Sequence, residues 1–248
     1  MSDGEAKHST LYHLRQSVEE RAYLFLVTTF ATLLVLTNVI GAKLFVDPFF
    51  GQTLTTGIIT YPLTFLITDV VSEIYGKHRA DRMVIIGFVM SLLMLAVVQI
   101  SISVPASPFW TSQYVPEFDN ATLMQKGWLA SFGVGKWLVC GSMCAYLAAQ
   151  LCDNYLFHFW RRLTKGRHLW LRNNLSTPVS QLVDTFIVGC FLFYGAFGWG
   201  FWAGVEVMLV IYLFKLAIAL LDTPLCYLGV WALRRHLNLA GDLQGPPD

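Results

Sequence analysis

Charge is what this sequence has least of. Asp, Glu, Lys and Arg make up 13% of its 248 residues, about half of the quarter that soluble domains carry. Its mean hydropathy is +0.54. The apolar blocks leave no stretch long enough for a sizeable soluble domain. The signatures of the common site chemistries are missing too. The five cysteines, Cys140, Cys144, Cys152, Cys190 and Cys226, form no CxxC and no Cys/His spacing that suits zinc. All five fall inside apolar blocks and read as small packing residues. His8 and His13 lie in the N-terminal tail, and His78, His158, His168 and His236 at helix ends. There is no GxxxxGK[ST] loop, so any ATP drive would need a separate subunit. No HExxH, nucleophile elbow or GxGD stretch is present, and neither a metal nor a cofactor is expected. The N-terminus opens with mixed charge and lacks a small-residue cleavage site, so it does not read as a removed signal peptide.

What the sequence has in abundance is long apolar runs. A helix needs about 20 residues to cross a hydrocarbon core. Six blocks qualify, roughly 23–46, 57–75, 82–104, 128–158, 176–198 and 203–233. The expected fold is all-α, a polytopic membrane protein of six transmembrane helices. Its expected organisation is a 1–22 N-terminal segment, a 23–233 transmembrane domain and a 234–248 tail. The net charge of +1 conceals a strong asymmetry. Alternate connections hold Lys7, Arg15 and Arg21, then Lys77, Arg79 and Arg82, then Arg161, Arg162, Lys165, Arg167 and Arg172, then Arg234 and Arg235. The other side holds only Lys126. Thirteen against one places both termini in the cytoplasm by the positive-inside rule, and six spans preserve the alternation.

The second block, YPLTFLITDVVSEIYGK, raises the sharpest question. Over residues 57–75, nine Leu, Ile, Phe and Val residues favour insertion by about 3–5 kcal/mol. A central Asp69 costs about 2.5–3.5 kcal/mol, and Glu73 adds to that. This helix cannot face lipid; it must bury both carboxylates against other helices or a wet cavity. Their i, i+4 spacing sets them on one face, with Phe65, Ser72 and Pro62 nearby. The fifth block, STPVSQLVDTFIVG, aligns Thr177, Ser180, Gln181 and Asp184 in one polar stripe. At about 1.5 Å per residue, Asp184 lies about 12 Å and Asp69 about 9 Å from the cytoplasmic ends of their helices. That predicts one shared polar cavity. The sequences QLCD (150–153) and QLVD (181–184) each put an amide and a carboxylate on one helical face.

Asn38 and Lys215 are also deep. A lysine there needs a carboxylate, and Asp69, Asp184 or Glu206 could supply it. Lys43 and Lys136 lie near the outer surface, where long side chains can snorkel. Pro224 predicts a kink in the last helix. Trp110, Trp128, Trp199 and Trp202 fit an outer interfacial belt, and Trp160 and Trp170 an inner one. Tyr61, Phe65, Trp137 or Tyr194 could stack on a flat ligand.

The stretches TNVIGAK, YPLTFLITDVVSEIYGK, AYLAAQLCD, WLRNNLSTPVSQLVDT and LFKLAIALLDTP together resemble the queuosine precursor transporter family, formerly grouped as vitamin uptake transporters. The resemblance covers residues 23–233. It implies a bacterial inner-membrane importer of 7-cyano- and 7-aminomethyl-7-deazaguanine, with a fold related to the six-helix substrate-binding subunits of energy-coupling-factor vitamin transporters. By this resemblance Asp69, Glu73, Gln181 and Asp184 contact the base, with Asn38 and Arg172-Asn173-Asn174 as further candidates. The chemistry suits such a ligand. A guanine-like edge presents two adjacent donors that one carboxylate can accept, and a flat heterocycle rewards stacking on an aromatic such as Phe65. Lys215 completes the expected binding set as a counter-ion. The expected partners are the base and the lipid bilayer, with no nucleic acid, and a homodimer on the general frequency of two-fold symmetry. Two alternatives remain at this point. The chain could be the substrate-binding subunit of an energy-coupling-factor transporter, or an intramembrane enzyme using Asp69 and Asp184 as a proton-sharing dyad.

Overall fold

The computed structural model describes residues 3–237 apart from 42, 47–52, 113–114, 116, 134–135 and 166–167. Seven helices dominate these residues: α1 (Asp3–Ile40), α2 (Tyr61–Tyr75), α3 (Lys77–Ser103), α4 (Ala121–Phe132), α5 (Lys136–Leu163), α6 (Leu169–Gly189) and α7 (Phe201–His236). Among the described residues, five segments are long and apolar enough to cross a membrane: Val18–Ile40, Thr56–Tyr75, Lys77–Ser103, Leu169–Ala196 and Phe201–His236. The chain is therefore an all-α membrane protein. Helix α5 has the length of a span, 28 residues. It is not among the five because it carries Gln150, Asp153, Asn154 and His158, all buried.

Several expected boundaries move. The first apolar block does not stay helical to residue 46: α1 stops at Ile40, and Leu44–Val46 pairs antiparallel with Thr53–Thr55 in a short hairpin. The fourth block is two helices, because α4 ends at Phe132 and α5 starts afresh at Lys136. Asn120 caps α4, its side chain accepting from the Leu123 N–H at 3.0 Å, which satisfies one of the orphan donors of a helix start. The fifth block begins earlier than expected, at Leu169, and continues past Gly189 as a π-helical turn over Cys190–Ala196. Pro178 and Pro224 both lie inside their helices. The tail residues Lys7, His8, His13 and Arg15, together with Arg167, Lys136, Trp137 and Cys140, lie outside the residues whose side chains are described.

Between α2 and α3 the chain reverses at a single residue. Gly76 has φ +82° with no atom within 4 Å of where a Cβ would sit, so the backbone angle rather than space calls for glycine.

Helix α2 is the axis of the bundle. Its Val71 packs with Phe30 and Leu34 of α1, Met83 and Val84 of α3 and Tyr146 of α5. Its Val70 and Ile74 pack with Phe157 of α5, Leu169 of α6 and Cys226 and Val230 of α7. Both long faces are thus covered, and nine of its fifteen residues are buried. The outward faces of α3 (Leu92, Leu93, Val97, Ile100) and α7 (Leu209, Leu213, Leu220, Leu221) are apolar and exposed, as a lipid-facing surface requires. Polar side chains are instead concentrated inside.

Candidate functional site

The buried polar groups form three tiers along α2, roughly a helical turn or two apart. One end of the bundle carries Arg79, Arg161 and Arg234 and is called here the basic end.

The tier farthest from the basic end is a cavity of about 550 Å³, within the range of small-molecule sites. It reaches from Gly41, Gly57 and Gly133 at the far end down to Thr177 and Asp222. Its charged feature is an ion pair. Lys215 Nζ lies 2.5 Å from Asp184 Oδ2, and the Tyr61 hydroxyl donates to Asp184 Oδ1 at 2.9 Å. The ammonium also sits 5.6 Å from the Tyr61 ring centroid, and Phe65 meets that ring edge-on at 5.3 Å. Asn38 lines the cavity, its amide donating to the Leu34 carbonyl at 3.1 Å and to Ser91 at 3.4 Å. Gln181 lines it as well and is 5% exposed, with no donor among the described residues reaching its Oε1. A buried amide oxygen without a donor costs free energy until a ligand or water supplies one.

One turn further along α2, Asp69 is 3% exposed and faces Asp153 of α5, which is fully buried; the two carboxyls lie within hydrogen-bonding reach of each other. Asp153 Oδ1 accepts from Ser180 Oγ at 2.8 Å, while the neighbouring Thr177 hydroxyl donates to Asn173 Oδ1 at 3.3 Å.

The third tier closes the basic end. Both oxygens of Glu73 are engaged, Oε2 with Arg172 at 2.7 Å and Oε1 with Arg234 at 2.9 Å. Arg172 is 1% exposed, and its guanidinium lies 5.2 Å from the Phe157 ring centroid. Arg161 adds a bond to the Ser72 carbonyl at 3.3 Å. A buried arginine held by a carboxylate and an aromatic face keeps its charge in a place a lone cation could not occupy.

The seven residues expected to bind ligand therefore separate. Asn38, Phe65, Gln181, Asp184 and Lys215 line one cavity. Asp69 and Glu73 do not line it, because each successive turn of α2 carries its side chain about 6 Å closer to the basic end. The expectation that Asp69 and Asp184 lie at one depth fails for a related reason. Helix α6 starts at Leu169, so Asp184 stands about 22 Å along it and meets Tyr61, two turns from Asp69. The dyad that an Asp69–Asp184 enzyme would need is not formed. Lys215 chooses Asp184 among its three candidate partners, and Glu206 is exposed. Arg172 is no connecting-loop charge but a buried one. Asp153 was not among the expected binding residues, and Tyr61 was expected only as a stacking ring, not as a donor to Asp184. The QLCD stretch was the available signal for Asp153, since it repeats the amide and carboxylate of QLVD.

Residues 55–229 match the family model described as "Putative vitamin uptake transporter". A protein of Bacillus subtilis (strain 168) named "Probable queuosine precursor transporter" is 33% identical over 180 residues, covering 72% of each chain. One of the same name from Haemophilus influenzae is 27% identical over 170 residues, covering 67% of this chain and 64% of its own. No solved structure matches.

Proposed function

The chain belongs to the vitamin uptake transporter family, a family of membrane transporters, and from that premise we propose that it imports a queuosine precursor, a 7-deazaguanine base, through the cavity between α2, α6 and α7. The relatives' names supply the substrate class. The observation that carries the reading is the wall of that cavity. Beside the Asp184–Lys215 pair, Gln181 holds a buried oxygen without a donor. A guanine-like edge brings two donors side by side and a carbonyl acceptor next to them. Gln181 and Asp184 accept the donors, Lys215 donates to the carbonyl, and the rings of Tyr61 and Phe65 flank the heterocycle. Asn38 closes the opposite wall.

In this reading α5 is the sixth crossing and the basic end is cytoplasmic, as the positive-inside rule favours. Lys77, Arg79, Arg82, Arg161, Arg162, Lys165, Arg234 and Arg235 gather there, against Lys43 and Lys126 at the other end. Both termini then lie inside. The cavity belongs to the outer half of the bundle, and the Glu73–Arg172–Arg234 cluster seals the route inward. Such an arrangement suits one state of an alternating-access cycle. Asp69 and Glu73 act below the bound base, holding the inner half together.

Uptake of labelled 7-cyano-7-deazaguanine into vesicles containing this purified chain alone is the test. Uptake supports the reading and removes the need for an energy-coupling-factor partner. Failure to bind or exchange the base in several lipid compositions would refute it.

A further inference from the structure

The pair Asp69–Asp153 is not needed to explain a cavity it does not line, yet it sits directly beneath that cavity's floor. An ionised carboxylate only accepts hydrogen bonds. Two carboxyls within hydrogen-bonding reach of each other can therefore bond only if a proton lies between them. Both side chains are nine-tenths or more buried, and Asp69 Oδ1 and Asp153 Oδ2 each lack a donor.

The groups closest to the pair are mostly acidic or neutral. From α7 the pair is faced by Asp222 and Cys226, from α2 by Glu73 and Tyr61, from α5 by Cys152, and from α6 by Arg172 and the Ser180 hydroxyl. Arg172 is the one cation in that set, and Glu73 already engages it. A second observation points the same way. Gln150, one turn from Asp153 on the same face of α5, is fully buried with neither end of its amide partnered. The site thus holds buried polar groups that the described residues leave unsatisfied.

Resting on the transporter reading above, we propose that Asp69 and Asp153 together bind the coupling ion, one proton, and that the base enters by proton symport. The proton arrives through the cavity by way of Asp222, which lines the floor and lies close to Asp69. It is held between the two carboxyl oxygens. It leaves to water at the basic end once the Glu73–Arg172–Arg234 cluster parts. The pair then carries two negative charges, and Arg172, released from Glu73 one turn below, neutralises one of them. Net movement inward is one proton with each base.

The test uses the full chain reconstituted in vesicles, with the membrane potential clamped and labelled 7-cyano-7-deazaguanine as probe. With the exterior one pH unit more acid, one-to-one coupling gives about tenfold accumulation inside. Asp153→Asn and Asp69→Asn should bring the ratio to one, whatever their residual exchange rates. A wild-type ratio of one with exchange intact would overturn the proposal and leave the transporter reading standing. Accumulation driven by a sodium gradient at equal pH would overturn it likewise. If no exchange occurs at all, the transporter reading fails, and the proton site is judged without substrate. The infrared C=O stretch of a protonated carboxyl should then be present in the wild type at neutral pH and lost in both variants. Its absence from the wild type refutes the shared proton.

Discussion

Replacing Lys215 with Met tests the central ion pair most directly. The side chains of Asp184 and Lys215 are 6% and 18% exposed, so water screens them little, and their charged atoms are 2.5 Å apart. Breaking a buried pair from one side typically costs about 3–5 kcal/mol, because the remaining charge stays buried. Asp184 would still accept from Tyr61 at 2.9 Å, so Lys215→Met is expected at the lower end, about 3 kcal/mol. Asp184→Asn should cost less, since the longer lysine side chain can shift its ammonium toward water. The double variant leaves two neutral groups and should recover about 2 kcal/mol relative to the sum of the singles, within the range seen for contacting residues. Lys215→Met combined with Asp69→Asn should be additive. The assay is reversible unfolding in nanodiscs of the three single and two double variants. Additivity in the Asp184 double variant, or equal recovery with Asp69, would refute the pairing. Base transport should stay lost in the double variant, because Asp184 has then exchanged an acceptor for a donor.

Gln181→Leu should weaken base binding by about 1–3 kcal/mol with little change in unfolding, because Gln181 Oε1 has no partner among the described residues; equal affinity by titration would place the base elsewhere. Glu73→Gln should act in the opposite sense. It strands Arg172 in the interior, costing about 3–5 kcal/mol, and the folded fraction should still bind the base; selective loss of affinity with normal stability would return Glu73 to the binding site. Gly87→Val should destabilise by about 1–3 kcal/mol, since even a Cβ there would meet Phe30 at 2.6 Å and the Tyr146 hydroxyl at 2.9 Å; a neutral effect by thermal unfolding would mean that α1, α3 and α5 do not pack as closely as described. Cysteines introduced between residues 105 and 127 should react with an impermeant reagent in intact cells, and a lack of labelling would reverse the proposed orientation.

The class of the protein was legible in one dimension because it follows from composition and period. Long apolar runs with so few charges can fold only as membrane helices. The two carboxylates of YPLTFLITDVVSEIY had to be buried, because their insertion cost nearly cancels the gain of that helix. The motif stretches also carried the family, which the comparisons uphold. Where each buried charge finds its partner was not legible. Asp69 and Glu73 share a face and differ by one turn, yet one meets a carboxyl and the other two arginines. Spacing along a single helix says nothing of what the neighbouring helix presents at that height. That height was misjudged for α6 because polar residues such as Arg172 and Asn173, which look like a loop, are buried within the helix. Lys215 had three candidate carboxylates by sequence, and only the packing of α7 against α6 brought Asp184 to it. Sequence thus determined that charges must be buried in a membrane bundle; tertiary structure decided their pairing, because a buried charge is stabilised by whatever group lies a few ångströms away, however far off in the chain.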